Sequence, residues 1–320
     1  MTRRLAAILF LCLSAILVAA AIKPVTINKR PYYSLKDFAA NYKLKYSVKG
    51  KDIVLTTSDK RTISFTYNKK ECNVFGTVVH LTYPVAKDGK SIYYLSKTDY
   101  DTLFYPILHS AKLPKRGIRH IVIDAGHGGK DTGAVNGKIM EKTLTLIVAR
   151  RVEAILKKRG FKVTMTRSTD KSLELKDRTN VAANAKPDLF ISIHFNSAQT
   201  TSLRGIETYV PNPADTPSFM GKNGTKAPSN TFDKENALLG FILQRHLIKA
   251  TKFSDKGLKR VQHYVTRNVN CPAALVELGF ISNKDELKAI NTNAYFDKVA
   301  CAICDAIQEY AKLLKPLSVK

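Results

Sequence analysis

Four isolated side chains carry the chemistry legible in this chain. His127 follows a strand-like apolar run in Ile-Val-Ile-Asp-Ala-Gly-His-Gly-Gly (121–129), and His194 ends another in Leu-Phe-Ile-Ser-Ile-His-Phe-Asn-Ser (189–197). Glu277 stands near the tail of a third, Pro-Ala-Ala-Leu-Val-Glu-Leu-Gly-Phe (272–280), and Glu141 opens an amphipathic stretch after the Gly-rich loop that follows His127. Such runs read as buried parallel strands, and open α/β sheets gather ligands at the carboxyl ends of their strands. Two imidazoles and a carboxylate suit a catalytic Zn²⁺ with three protein ligands and one position left for water. A further carboxylate can act as base, the combination expected of a zinc hydrolase. Residue type alone leaves equal alternatives, namely satisfied core histidines and a buried glutamate paired with an arginine.

The elements that must position these residues alternate along the second part of the chain. Strands are expected at 118–123, 161–166, 188–193, 205–210, 261–266 and 273–277, with helices at 142–158, 175–185, 233–250 and 296–313. This order predicts an α/β domain over 117–314, a mostly parallel sheet with helices on both faces. Gly160 is placed as a helix stop and Asp233 as a helix cap. Leu113-Pro-Lys-Arg-Gly117 is a basic, Pro- and Gly-punctuated boundary. Upstream, 24–110 reads as a small, separate α+β unit with an internal echo. Tyr32-Tyr33-Ser34 and Tyr93-Tyr94-Leu95-Ser96 each lead into a helix that Ser34 and Ser96 can cap.

Composition narrows the partners. The 320 residues carry a formal charge of +26, which calls for a polyanion: nucleic acid, anionic lipid or a carboxylate- and phosphate-rich cell wall. Residues 1–21 decide among them. Arg3 and Arg4, the apolar run from Leu5 to Val18 and Ala19-Ala20-Ala21 form the pattern of a cleaved secretory signal, too short for a comfortable membrane span. An exported protein in the periplasm or cell envelope is expected, with no membrane span after cleavage and no nucleic-acid partner. Cys301 and Cys304 form a C-x-x-C within a helical pattern, read as two small residues on one buried face.

The motifs also carry a resemblance. Asp-Ala-Gly-His-Gly-Gly-Lys-Asp-Thr-Gly (124–133), Glu141-Lys142, Thr-Arg (166–167), Asp-Arg-Thr-Asn-Val-Ala-Ala-Asn (177–184), Ser-Ile-His-Phe-Asn (192–196), Gly-Ile-Glu-Thr (205–208) and Leu-Val-Glu-Leu-Gly-Phe-Ile-Ser-Asn (275–283) resemble the zinc N-acetylmuramoyl-L-alanine amidases that trim bacterial peptidoglycan. Ala125 departs from the family, which usually has proline there. The resemblance implies that His127, Glu141 and His194 ligate Zn²⁺ and that Glu277 is the general base. It implies cleavage of the amide between N-acetylmuramic acid and L-alanine, in wall turnover or daughter-cell separation. Asp124 or a backbone carbonyl is a candidate to orient a ligand imidazole, and Glu207 is a secondary residue that lines the cleft or fixes a ligand. Arg167, Arg178 and Asn184 are expected to be scaffold. More weakly, 24–110 resembles the N-terminal domain of copper amine oxidases, without a copper-binding set.

Three rivals remain. A nucleotide site at Gly-His-Gly-Gly-Lys (126–130) fails because Asp131 stands where a phosphate loop needs Ser or Thr. Another zinc wall hydrolase, a peptidase or carboxypeptidase, shares the chemistry, and a non-catalytic peptidoglycan-binding protein shares the fold. Envelope regulators are a further partner class, since some relatives carry a helical insert that plugs the site. Here Pro211–Thr231 holds four prolines and two glycines, which excludes a continuous helix. A mobile loop at the cleft edge is expected instead, with Phe219 and Met220 toward substrate and no need of an activator.

Overall fold

The computed structural model describes residues 22–316. The expected signal at 1–21 lies outside the described residues. Four strands stand side by side and parallel, in the order Lys162–Met165, His120–Ala125, Leu189–Asn196, Ala273–Phe280. Ile121, Ile123, Leu189, Ile191 and Ile193 enter the main core, while Val122, Phe190 and Ala273 enter a second cluster on the other face. Burial of both faces explains why these strands read as continuous apolar runs. Each fully buried Ile, Leu or Phe contributes about 1.5–3 kcal/mol. Helix Asn293–Leu314 packs against Glu141–Lys158 and Asp233–Thr251 over the main core, and Leu175–Ala185 packs with the short Tyr264–Arg267 helix on the other face. Among the described residues no helix is long and apolar enough to cross a membrane.

The sheet is mixed, which corrects the expectation of a mostly parallel one. Ile206–Val210 runs antiparallel to Ala273–Phe280 and parallel to Asp255–Arg260. Beyond Asp255–Arg260 the same sheet continues through Thr77–His80, Glu71–Val74, Thr62–Thr66, Asp52–Thr56 and Lys45–Lys49. These last five form an antiparallel meander, because strands joined by tight turns can pair only that way, whereas parallel strands need long crossovers. The segment 24–110 therefore shares a sheet with the second half, through Val79 opposite Leu258. It shares a core as well, running from Leu35 and Phe38 to Ile307 and Tyr310. Its internal echo becomes a pair of antiparallel strands, Arg30–Ser34 and Tyr93–Ser96, and Ser34 and Ser96 cap the helices that follow.

One expected strand is displaced. The strand is Asp255–Arg260, and the helix Tyr264–Arg267 overlaps the end of the expected 261–266. Asp-Lys-Gly-Leu-Lys-Arg hides its nature because its charges are buried only where partners wait. Asp255 accepts from Val78 N (2.8 Å) and Gln244 Nε2 (2.7 Å), Lys259 pairs with Glu207, and Arg260 pairs with Asp99. Asp233 is the first helical residue rather than a side-chain cap, and it accepts from Asn230 Nδ2 instead. The C-x-x-C also departs from expectation, since Cys304 is buried but Cys301 is exposed. One residue every 100° places i and i+3 near each other, yet the edge of the apolar stripe falls between them.

The Arg260–Asp99 pair fastens the strand Asp255–Arg260 to the N-terminal segment, where Asp99 ends the short helix Lys97–Asp99. Asp99 is fully buried and also accepts from Thr82 N (2.8 Å) and Tyr83 N (3.2 Å). Asp99→Ala would strand a buried guanidinium, a loss expected to cost about 3–5 kcal/mol in urea unfolding of the full chain. A loss below about 1 kcal/mol, the range of an exposed pair, would contradict this structural role.

Candidate metal centre

Three elements deliver the three candidate ligands. His127 lies just past His120–Ala125, Glu141 is the first residue of Glu141–Lys158, and His194 sits in Leu189–Asn196. One donor atom from each lies within 4.8 Å of the other two. Glu141 Oε2 is 3.1 Å from His127 Nε2, and its Oε1 is 2.9 Å from His194 Nδ1. The same carboxylate accepts the backbone N–H of Ala134 (2.9 Å) and Phe195 (3.1 Å). Burial opposes its ionisation, but the hydrogen bonds and charges of both imidazoles outweigh that and hold its pKa well below the carboxylate range. His127 answers in kind. Burial would lower its pKa, but Glu141 and Asp131 raise it.

Two glycines make room for these groups. A Cβ on Gly126 would lie 2.3 Å from His194 Cε1, and one on Gly133 would lie 2.5 Å from Glu141 Oε2. His127 itself has φ +60, a conformation uncommon for a residue with a side chain, and Arg178 Nη2 holds its carbonyl at 2.8 Å. Beneath the loop, Arg167 is 1% exposed and donates to the carbonyls of Ala125 (2.9 Å), Gly126 (2.8 Å) and Lys142 (2.8 Å). Both arginines are scaffold, as expected, while Asn184 is merely exposed on its helix.

Asp124 does not orient an imidazole. It is buried under the loop, accepting from Thr166 Oγ1 (2.7 Å), Arg178 Nη1 (2.8 Å) and Ser192 Oγ (2.7 Å). The orienting carboxylate is Asp131, 2.8 Å from His127 Nδ1. Its signal was its place at the end of the Gly-rich loop, within reach of the histidine four residues before it.

Glu277 stands in register beside His194 on one side and Glu207 on the other. Equal register in a sheet puts the three side chains on one face. Glu277 Oε2 is buried with no hydrogen-bond partner. Burial pushes its pKa well up, and the Glu141 and Glu207 carboxylates add to this against the opposing charge of Lys259. Glu207 is held by neighbours and does not line the cleft: Lys259 Nζ (2.6 Å), Asn196 Nδ2 (2.9 Å) and Tyr209 OH (2.6 Å) all donate to it.

A cavity of about 540 Å³ opens beside the two histidines, lined by Lys130, Ser172–Leu175, His263 and Tyr264 among others. His263 escaped the sequence reading; burial and the neighbouring His194 push its pKa down to about 4. Pro211–Thr231 contributes nothing to that lining. It folds into a hairpin, with Asp215 N bonded to Gly224 O and Ser218 N to Lys222 O, each at 2.9 Å. Phe219 sits against His80 and Lys259, so neither it nor Met220 faces the cavity as expected. The site tolerates no extra methyl beneath His194. Gly126→Ala should weaken metal binding by about 10–100-fold while far-UV circular dichroism stays native, and unchanged affinity would contradict this packing.

Comparison with known proteins follows this geometry. The sequence model of the family described as N-acetylmuramoyl-L-alanine amidase matches residues 121–309. The germination-specific N-acetylmuramoyl-L-alanine amidase of Bacillus subtilis (strain 168) is 32% identical over 213 residues, covering 62% of this chain and 81% of that protein. The amidase LytC of the same organism is 34% identical over 190 residues, 59% of this chain but only 35% of LytC. The catalytic domain of CwlV, an amidase from Bacillus (Paenibacillus) polymyxa var. colistinus, superposes with a TM-score of 0.52 at 35% identity. That match covers 61% of this chain and 99% of the CwlV domain. Matched by the family model over more than half its length, the chain belongs to the N-acetylmuramoyl-L-alanine amidase family.

Proposed function

We propose that this chain is a zinc-dependent hydrolase of peptidoglycan that cleaves the amide between N-acetylmuramic acid and L-alanine. The observation that carries this reading is the convergence of His127, Glu141 and His194 beside an open cavity, next to a carboxylate, Glu277, with an unpartnered oxygen. The donor set fits the metal, since borderline-soft Zn²⁺ takes imidazole nitrogen and carboxylate oxygen. Gly126 and Gly133 keep the space that these donors need. When bound, Zn²⁺ supplies Lewis acidity toward a carbonyl and lowers the pKa of water to about 7. Glu277 takes the proton of the attacking water and returns it to the leaving amide nitrogen. Asp131 keeps the His127 ring oriented through Nδ1, so that Nε2 faces the metal position.

The family supplies the bond cleaved and the substrate class. The charge of +26 suits an anionic wall, and the pattern of residues 1–21 suits export to the periplasm or cell envelope. Segment 117–314 carries the chemistry, and 24–110 is an α+β companion joined to it through a shared sheet and core. Wall turnover or daughter-cell separation is the physiological role. Because Pro211–Thr231 stands clear of the cavity, the mature enzyme works without an activator, and envelope regulators would act elsewhere.

Digestion of purified peptidoglycan, read by mass spectrometry, should release free stem peptides. Release of terminal D-alanine instead would identify a carboxypeptidase, and no product would favour a binding protein. His127→Ala and His194→Ala should lose zinc and activity together. Glu277→Gln should keep zinc while turnover falls by about 10²-fold or more. Loss of zinc from that variant would make Glu277 a ligand.

A pH profile gives an independent check. Glu277 must be ionised to act, and its raised pKa means activity is lost as pH falls through that raised value. A metal at Glu141 offsets that carboxylate's contribution but leaves the larger one, burial. The acid limb of kcat/KM should therefore lie clearly above 4.5, the ordinary glutamate value, and vanish in Glu277→Gln. An acid limb that stays unchanged in Glu277→Gln would exclude Glu277 as its source.

A further inference from the structure

Glu277 and Glu207 lie directly opposite across antiparallel strands, an arrangement in which like charges repel. Three donors separate their interests by occupying both oxygens of Glu207: Lys259 Nζ on Oε1, with Asn196 Nδ2 and Tyr209 OH on Oε2. The lysine is the unusual member. It is 7% exposed, and lysines are rarely so buried unless paired. Its ammonium lies 4.5 Å from the centre of the Phe219 ring, at the tip of the 211–231 hairpin. The Phe219 backbone N–H is fixed to Arg260 O at 2.8 Å, and its ring packs edge-on against His80 at 4.8 Å. His80 belongs to Thr77–His80, the strand by which the N-terminal segment joins the sheet, and its Nε2 lies 3.1 Å from Lys256 O.

We propose that Lys259, covered by Phe219, whose ring in turn packs against His80, positions Glu277 for proton transfer by anchoring Glu207, so that the N-terminal segment supports the catalytic centre. With Lys259 in place, Glu207 has no free oxygen to share with Glu277, and its charge is offset. Glu277 Oε2 then stays unclaimed beside His194. Without the ammonium, Glu207 Oε1 loses its donor, and the two carboxylates repel or bridge, turning Glu277 away from the reacting atoms. The aromatic wall keeps water from the ammonium and adds cation–π attraction. This role rests on the hydrolysis proposed above, and on a different set of residues from the metal centre.

The test uses the full chain, zinc-loaded, acting on a soluble disaccharide-peptide fragment of peptidoglycan. Lys259→Met should lower kcat by about tenfold to 10²-fold, the scale of a misplaced reacting group. KM should stay within about twofold and zinc content should be unchanged. Lys259→Arg should recover most of the loss, and Phe219→Ala should show a smaller loss in kcat alone. Should Lys259→Met fail to fold, the Glu207→Gln background removes the stranded charge. Adding Lys259→Met to Glu207→Gln should then change kcat by less than about twofold, because the lysine acts through Glu207. A kcat for Lys259→Met within about twofold of the unaltered chain would overturn the role, as would a further tenfold fall in that background. Absence of hydrolysis by the unaltered chain would bring down the proposed activity and this inference together, whereas a kcat unmoved by Lys259→Met overturns the inference alone.

Discussion

The Glu141 carboxylate ties the centre together, with one oxygen 3.1 Å from His127 Nε2 and the other 2.9 Å from His194 Nδ1. A carboxylate 5% exposed is costly to keep charged unless cations or hydrogen bonds surround it. Here two imidazoles and two backbone N–H groups do so. Its position at the first turn of Glu141–Lys158 adds the positive end of the helix dipole. Everything nearby is arranged around that group. Gly133 leaves room for Oε2, Gly126 leaves room for the imidazole that meets Oε1, and Asp131 sets the ring of the imidazole that meets Oε2.

The support beneath is polar and wholly buried, which is unusual for a core and fits its task. Arg167 and Arg178 hold the carbonyls of Ala125, Gly126 and His127, and Asp124 neutralises Arg178 from below. A loop with glycines at 126, 128 and 129 would otherwise sample many conformations. Fixing its carbonyls removes that freedom where half an ångström matters.

Much of this was legible in the chain. Apolar runs ending in His194 and Glu277 gave strands whose ends carry the chemistry, because burial on both faces removes the polar alternation that would blur them. The helix at 175–185 was placed by its periodicity, and Ser34 and Ser96 by their capping chemistry. What escaped was set by partners distant in sequence. Asp255–Arg260 looks like a charged loop until Glu207, Asp99 and Gln244 are brought to it. The continuation of the sheet into the N-terminal segment depends on that same strand, so one missed element also concealed the join. Asp131, rather than Asp124, faces the His127 ring, because residue type cannot tell which carboxylate faces a ring and which faces a guanidinium.

The central claim is that His127, Glu141 and His194 together hold one zinc ion and leave a position for substrate. Zinc K-edge X-ray absorption on the purified, zinc-loaded full chain tests it most directly. The account predicts a shell of nitrogen and oxygen at about 2.0–2.2 Å, with two imidazole scatterers and no sulfur. In His194→Ala the imidazole signal should fall with zinc occupancy. A sulfur scatterer near 2.3 Å, the Zn–thiolate distance, or full zinc retention with an unchanged shell in that variant, would contradict it.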